Sequence, residues 1–376
     1  EDHRDYYSRF AAHNTVVVDG VSDYRNMRGT QAFELNSIYQ ATTSPNPING
    51  NFTYSDVIFT EPSTDATQQR VTGTVRTSET SGFFIDIFRS ARNDGMDKKH
   101  EYLFHSQGEP IILTDHNGKE IQTKTTDELS SAKGDLVGYD YFEHKRTAKT
   151  DDNFIAQFTM PSILDETLKV NFWMKGHEDR ELFTVEAPYS RAINVETVPG
   201  ELYHKPLPTL IVRQKGEART KPFVAIIDAF NETEGKSVIG VDYFNSKNEN
   251  PGFVGIYVQS DPNRHDFIFN NENPKSQSLF ENGELRGSYG VVTIEGKEFK
   301  SILMHNGTVF EYGFLRIEIP GHYGDVLIKQ ITGGFEMEST HPFQLTMPVH
   351  ETLTNFAELK SVTESKEKVY RGIVID

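Results

Sequence analysis

The stretch YYSRFAAHNTVVVDG, residues 6–20, sets Tyr6, Tyr7, Arg9 and His13 close together ahead of a run of valines. Neutral imidazole is the commonest nitrogen ligand of zinc and suits other first-row metals. A tyrosine can give or take a proton, and an arginine grips a carboxylate with two parallel hydrogen bonds. These residue types suit a site for an acidic ligand beside an ion. A hydrogen-bonded histidine next to an aromatic strand edge with a solvated arginine explains the same residues, and residue types alone favour that plainer account. In a strand, side chains two apart share a face. His13, Thr15, Val17 and Asp19 would then lie on one side, with Asn14, Val16 and Val18 on the other. The His13 side is the more polar and is expected to look into a cleft.

A second unusual stretch is GFFIDIFRSARNDGMDKKHEYLFHS, residues 82–106. Asp86 shares a strand face with Phe84 and Phe88, and burying a carboxylate without a partner is costly. Arg89, Arg92 or a backbone turn is the expected partner. On the next strand His100 and Tyr102 share one face, Leu103 and His105 the other. The reading that residue types favour is a salt-bridged hairpin with a basic loop. No nucleophile elbow, phosphate-binding loop, HExxH or HxH pattern occurs. His204, His265, His305, His322 and His341 sit near turns and are expected at the surface.

The elements that must hold these residues read as strands. Short runs such as NFTYSDVIFT, QQRVTGTVRT, LKVNFWMKG, TLIVRQ, PFVAIIDAF and GFVGIYVQS are rich in β-branched and aromatic residues. Turn dipeptides punctuate them, among them Asp19-Gly20, Asn49-Gly50, Asp94-Gly95, Asn117-Gly118, Asn282-Gly283 and Asn306-Gly307. No long helical periodicity is present; 125–134 can make a helical turn or two, and 350–360 is ambiguous. The fold class is therefore all-β, with antiparallel sheets packed face to face. The loop NNENPKSQS, residues 270–278, is the expected boundary between a large sandwich, 1–275, and a small C-terminal β domain, 276–376.

With 376 residues, 26 Phe and 16 Tyr, the chain can bury a sizeable core. Its 55 acidic against 38 basic side chains, a formal charge of -17, argue against nucleic acid and anionic membranes as partners. The absence of cysteine rules out disulfides and thiolate chemistry. No apolar run is long enough for a transmembrane helix.

The ordered motifs carry a resemblance. The opening stretch with its His-Asn-Thr-Val-Val-Val-Asp-Gly, then GFFIDIFRS…HEYLFHS, LKVNFWMKGHEDRELFTVEAP and PTLIVRQKGEARTKPFVAIIDAF, together resemble the β-sheet part of the heparinase II/III-like polysaccharide lyases. That group includes heparin, heparan sulfate and alginate lyases. The resemblance covers roughly residues 6 to 245. It implies an N-terminal (α/α) toroid, here missing, a large antiparallel supersandwich and a small C-terminal β domain, with the active site between toroid and sandwich. It also implies a structural divalent metal, zinc first with manganese or calcium as alternatives, with His13 as one ligand. Two further ligands and the catalytic base and acid would lie on the toroid-bearing part, so no catalytic residue is assigned. Tyr6, Tyr7 and Arg9 would line the substrate cleft.

The expected activity is β-elimination on a uronate polysaccharide, with alginate preferred over heparin because a chain at -17 suits a lightly charged polymer. The expected partners are that acidic polysaccharide and the toroid portion, and the expected location is secreted or periplasmic in a bacterium. A non-catalytic carbohydrate-binding or structural module is the rival reading.

Overall fold

The computed structural model describes residues 3–22, 33–39, 51–129, 137–163, 166–189, 205–332, 334–346, 361–362 and 369–375. Within them the chain is almost wholly β-structure, as the apolar alternation requires. Each apolar run singled out above forms a strand, from Val16–Val18 through Phe253–Asp261. Within that span, Glu34–Tyr39, Lys124–Thr125 and Glu143–Lys149 lacked such a signal. Their side chains are largely exposed and polar, so they carry no buried alternation to read. Of the ambiguous helical segments, 350–360 lies outside the described residues; 125–134 shows a strand end and a turn at 128–129, with 130–134 outside the described residues, and the short helical turn forms instead at Val137–Tyr141.

The chain divides into two compact units, one of Glu1–Ile38 with Thr53–Ser237, the other of Tyr39–Phe52 with Val238–Asp376. The boundary expected at 275/276 falls inside the second unit. There the strand Arg264–Asn271 pairs with Gly283–Glu295, so the 270–278 loop connects neighbours in one sheet. Twelve strands make up that sheet, and its core joins Phe253, Phe269, Phe280, Phe310 and neighbouring aliphatics. Asn306-Gly307, expected as a turn, is instead an irregularity within the strand Glu298–Tyr312. Asn306 takes φ +46°, and a Cβ on the facing Gly287 would lie 2.6 Å from the Gly307 Cα. Two chains cross too closely there for side chains. His305 is buried in this strand against Asp325, not at the surface.

In the first unit a six-stranded sheet runs Val16–Val18, Lys99–His105, Leu207–Lys215, Arg180–Ala187, Glu143–Lys149, Lys124–Thr125. An eight-stranded sheet runs Glu34–Tyr39, Phe52–Glu61, Ala66–Arg76, Gly82–Arg92, Phe223–Asn231, Glu166–Met174, Phe154–Ile163, Ile112–Asp115. Val16, Val18, Tyr102, Leu210 and Val212 of the first pack against Phe88, Phe154, Phe158, Phe172 and Phe223 of the second. This is the antiparallel sandwich expected from the sequence. The alternate residues of the six-stranded sheet, Val17, Leu103, Phe183 and Ile211, are covered by Tyr6, Phe10, Ala11, Tyr139 and Phe142. Both faces of the valine strand are therefore buried, which explains three consecutive valines where a half-exposed strand would alternate.

Candidate functional site

The segment carrying the predicted site residues is not the start of a strand. Residues His3–Tyr7 and Phe10–Ala12 form two short helical turns, and His13 closes the second, its N–H donating to the Phe10 carbonyl at 3.0 Å. Ser22 anchors this segment to the sheet, its hydroxyl accepting from the Ala11 N–H at 3.0 Å. A Cβ on Gly138 would sit 2.8 Å from that of Ala11, so only glycine allows the 137–141 turn to close over it.

Tyr6 is buried in the outer-face core, with edge-on contact to Tyr7 at 5.2 Å and to Phe142 at 6.2 Å between ring centroids. Burial, with the neighbouring Tyr7, pushes its hydroxyl well above the usual range, so it stays protonated. Tyr7 is half-buried and donates its hydroxyl to the Tyr189 carbonyl at 2.8 Å. Arg9 is buried rather than solvated. The three residues thus gather beneath and beside His13 at one corner of the sheet.

His13 itself is exposed. Its strand begins three residues later, and the face that was expected to look into a cleft carries Val17 into the core. Pairing nevertheless continues past the strand end. Val16 faces Tyr102, Val17 faces Glu101 and Val18 faces His100. The Leu103 N–H donates to the Thr15 carbonyl at 2.9 Å. Asn14 then substitutes its side chain for backbone, Oδ1 accepting from the His105 N–H at 2.7 Å and Nδ2 donating to the His105 carbonyl at 3.4 Å. Backbone pairing therefore ends at Thr15, and His13 turns away into its helical turn while remaining near enough to act electrostatically on the His105 ring.

Sequence reading had placed His105 only on the Leu103 face of a hairpin. Its Nδ1 lies 2.7 Å from the Thr209 hydroxyl, itself 3.1 Å from the Leu207 carbonyl. A hydroxyl has one hydrogen, so if Thr209 donates to Leu207 it accepts from His105 Nδ1–H. If Thr209 donates to the ring instead, Nδ1 accepts and Nε2 carries the hydrogen; Nε2 is buried, and the Ala11 carbonyl beside the ring is an acceptor for it. Burial first and His13 second lower the His105 pKa to about 4, against the opposing pull of the Ala11 carbonyl. Partial desolvation likewise lowers that of His13, the Tyr7 carbonyl opposing. Both imidazoles are neutral near pH 7, the form a metal ligand or a proton acceptor needs. Among the described residues no three His, Asp or Glu side chains form a metal-ligand group.

The 82–106 hairpin is salt-bridged as expected, with different partners. Asp86 receives Arg70 Nε at 3.0 Å, Arg70 Nη2 at 2.6 Å and the Tyr102 hydroxyl at 2.7 Å. Arg92 turns instead to Asp19 and Asp94, and Arg89 projects to the opposite face, where Gln69 is its cross-strand neighbour. Arg70 lies on the same sheet face as Asp86, whereas Arg89 does not. Its Nη1 also donates to the Asn14 carbonyl at 2.9 Å, while Gln68 Nε2 donates to the Val16 carbonyl at 3.1 Å. Side chains of one sheet thereby cap the open edge of the other, next to His13.

No family model matches the chain. What it is similar to is a polysaccharide lyase. That relative is an endo-acting ulvan lyase of Formosa agariphila, 27% identical over 322 residues, covering 81% of this chain and 38% of the relative. The chain thus spans well under half the length of the curated relative it matches. The similarity does not single out the heparinase II/III-like group. No helix among the described residues is long and apolar enough to cross a membrane.

Proposed function

We propose that this chain is the β-sandwich portion of a secreted polysaccharide lyase that cleaves a uronate-bearing polysaccharide by β-elimination. The observation that carries this is the similarity to an ulvan lyase across 322 residues, a span that includes most of the sandwich bearing His13. In this reaction a base removes the proton on C5, beside the carboxylate, and the glycosidic oxygen on C4 leaves. The carboxylate must be neutralised for that proton to become acidic enough. The base and acid belong to a helical N-terminal portion, and this chain alone is inactive. Its own residues form one wall of the cleft: Tyr7 and the His13 corner face the sugar acid, while Tyr6 and Arg9 hold that corner from beneath.

His13 is a ligand of a structural divalent ion, zinc in preference to manganese or calcium. His105, whose ring is under the electrostatic influence of His13, is the neighbouring imidazole on this chain. When bound, the ion supplies fixed positive charge at the wall.

Ulvan is the first substrate to test, given the relative. Alginate is the second, because a chain at -17 suits one carboxylate per sugar better than a heavily sulfated heparin. Incubation with ulvan, alginate and heparin, with and without the N-terminal portion, followed by the ultraviolet absorbance of unsaturated uronate, tests the reading. Absence of product from all three polymers in the presence of that portion sinks it. The rival reading, a non-catalytic sugar-binding module, draws on Phe84, which is 53% exposed on a sheet face beside Thr72 and Thr74. Binding to these polymers with no unsaturated product in either condition would favour it.

A further inference from the structure

We infer that the open face of the strands Phe52–Glu61, Ala66–Arg76 and Gly82–Arg92 is a shelf that binds a stretch of acidic polysaccharide. Phe84 is its stacking platform, a ladder of Ser and Thr hydroxyls its floor, and Arg76 its grip on a carboxylate. The inference rests on the preceding reading only for the class of ligand; the shelf residues enter from the structure, and none belongs to the Tyr6–His13 segment.

Three observations carry it. The first is where the smaller sheet stops. Thr53, Thr74, Phe84, Ile227 and Phe172 stand in one row across five strands. Phe172 is wholly buried, its ring centroid 4.6 Å from that of Phe104 on the smaller sheet, and Ile227 is half-buried. Phe84 is exposed, and Thr53 and Thr74 are half-exposed. The larger sheet thus runs past its cover and turns an aromatic ring to solvent.

The second is the ladder beside that ring. The Thr53 and Thr74 hydroxyls lie 2.7 Å apart, those of Ser55 and Thr72 2.8 Å. Each pair has two hydrogens and spends one on itself, so each keeps a donor and several lone pairs for a ligand. A sugar ring offers C–H groups on its faces and hydroxyls around its edge, the complement of an aromatic ring next to a hydroxyl ladder.

The third is charge. Side chains two apart share a strand face, so Arg70, Thr72, Thr74 and Arg76 stand in file, the two arginines about 20 Å apart at about 3.4 Å per residue. The acid on this face between them is Asp86, already held by Arg70 and Tyr102. In a chain at -17 such a face repels a sugar acid little, and Arg76 presents the planar fork that matches a carboxylate. At the other end Arg70 joins the shelf to the His13 corner by donating to the Asn14 carbonyl.

Fluorescence anisotropy of end-labelled ulvan and alginate oligosaccharides with the full 376-residue chain tests the shelf, with a neutral dextran oligosaccharide of equal length alongside. Phe84→Ala is expected to raise Kd for the acidic probes about three- to tenfold. Arg76→Gln is expected to raise it about tenfold and to bring it level with that of the neutral probe. Thr72→Val combined with Thr74→Val keeps good strand formers, removes one hydroxyl from each pair and should cost about fivefold. Phe314→Ala, comparably exposed in the other unit, should leave Kd unchanged. Circular dichroism confirms that each variant is folded; should Phe84→Ala unfold, Arg76→Gln decides. Unchanged Kd in folded Phe84→Ala and Arg76→Gln, an equal loss in Phe314→Ala, or no binding of either acidic probe overturns the inference. Since the readout is binding, a lyase assay without product leaves the shelf standing, while product formed with the N-terminal portion and unaltered Kd in the shelf variants removes the shelf alone.

Discussion

Asp86 and His100 show what single residues cost this sandwich. Asp86 is buried among aromatics and held by both ends of Arg70 and by Tyr102. Removing one partner of a buried pair strands the other, at roughly 3–5 kcal/mol. The Arg70 side chain is 30% exposed, so water screens its end of the pair although Asp86 is buried, and Arg70→Met is expected to cost nearer about 2 kcal/mol after that discount. Urea denaturation measures it; a change within about 0.5 kcal/mol, the range of an inert surface substitution, would show that the pair stabilises nothing.

His100 lies wholly buried between Ser90 and Asp97. Burial, the dominant cause, lowers its pKa, with Asp97 pulling the other way. The folded state therefore favours the neutral ring. As pH falls through the unfolded value of about 6.5 the unfolded chain takes the proton first. The contribution of His100 is thus complete above that pH and is lost as pH drops from there through the lowered folded value. Replacing His100 with Gln is expected to flatten the stability–pH curve between about pH 7 and 5. An unchanged slope would place the proton uptake elsewhere.

At the level of elements, the site depends on how a strand ends. Val16–Val18 is short, yet Thr15 and Asn14 extend its pairing to His105, the last step made by a side chain. Asn14→Ala removes the acceptor of the His105 amide, a loss of about 1 kcal/mol. Hydrogen exchange at the His105 amide should accelerate about fivefold, while the Leu103 amide, bound to Thr15, keeps its protection. Equal loss at both amides would mean that the strand end frays as a whole and that Asn14 is no clip. This explains what could be read in advance. Strands with buried alternation were legible because burial writes a period of two into the residue types. The Tyr6–His13 segment was legible as chemistry but not as shape. Its helical turns are held by the Ser22 hydroxyl and by a close-approaching Gly138, neither of which leaves a local periodic signal. His105 could be placed on a face, but the hold on its ring depends on Thr209, over a hundred residues away in sequence, and no spacing rule spans that. The boundary at 270–278 misread a polar connection because composition marks loops without saying which strands they join.

Across the whole molecule the governing quantity is charge. The chain carries -17, and several of its arginines are already engaged by carboxylates: Arg70 by Asp86, Arg92 by Asp94, Arg213 by Glu101, Arg264 by Asp266 and Arg316 by Glu284 and Glu311. An acidic oligosaccharide approaching this chain meets a net repulsive field in which these guanidinium groups are already compensated. Salt screens such a field, the Debye length shrinking from about 30 Å at 0.01 M to about 10 Å at 0.1 M. Association of an ulvan or alginate oligosaccharide with this chain should therefore quicken over that range, the reverse of the slowing that a basic, steering groove produces. Stopped-flow fluorescence with end-labelled oligosaccharides at the two ionic strengths measures the sign directly. Slowing with salt would place the sugar acid in a locally basic groove away from the His13 corner and remove that corner from the cleft wall.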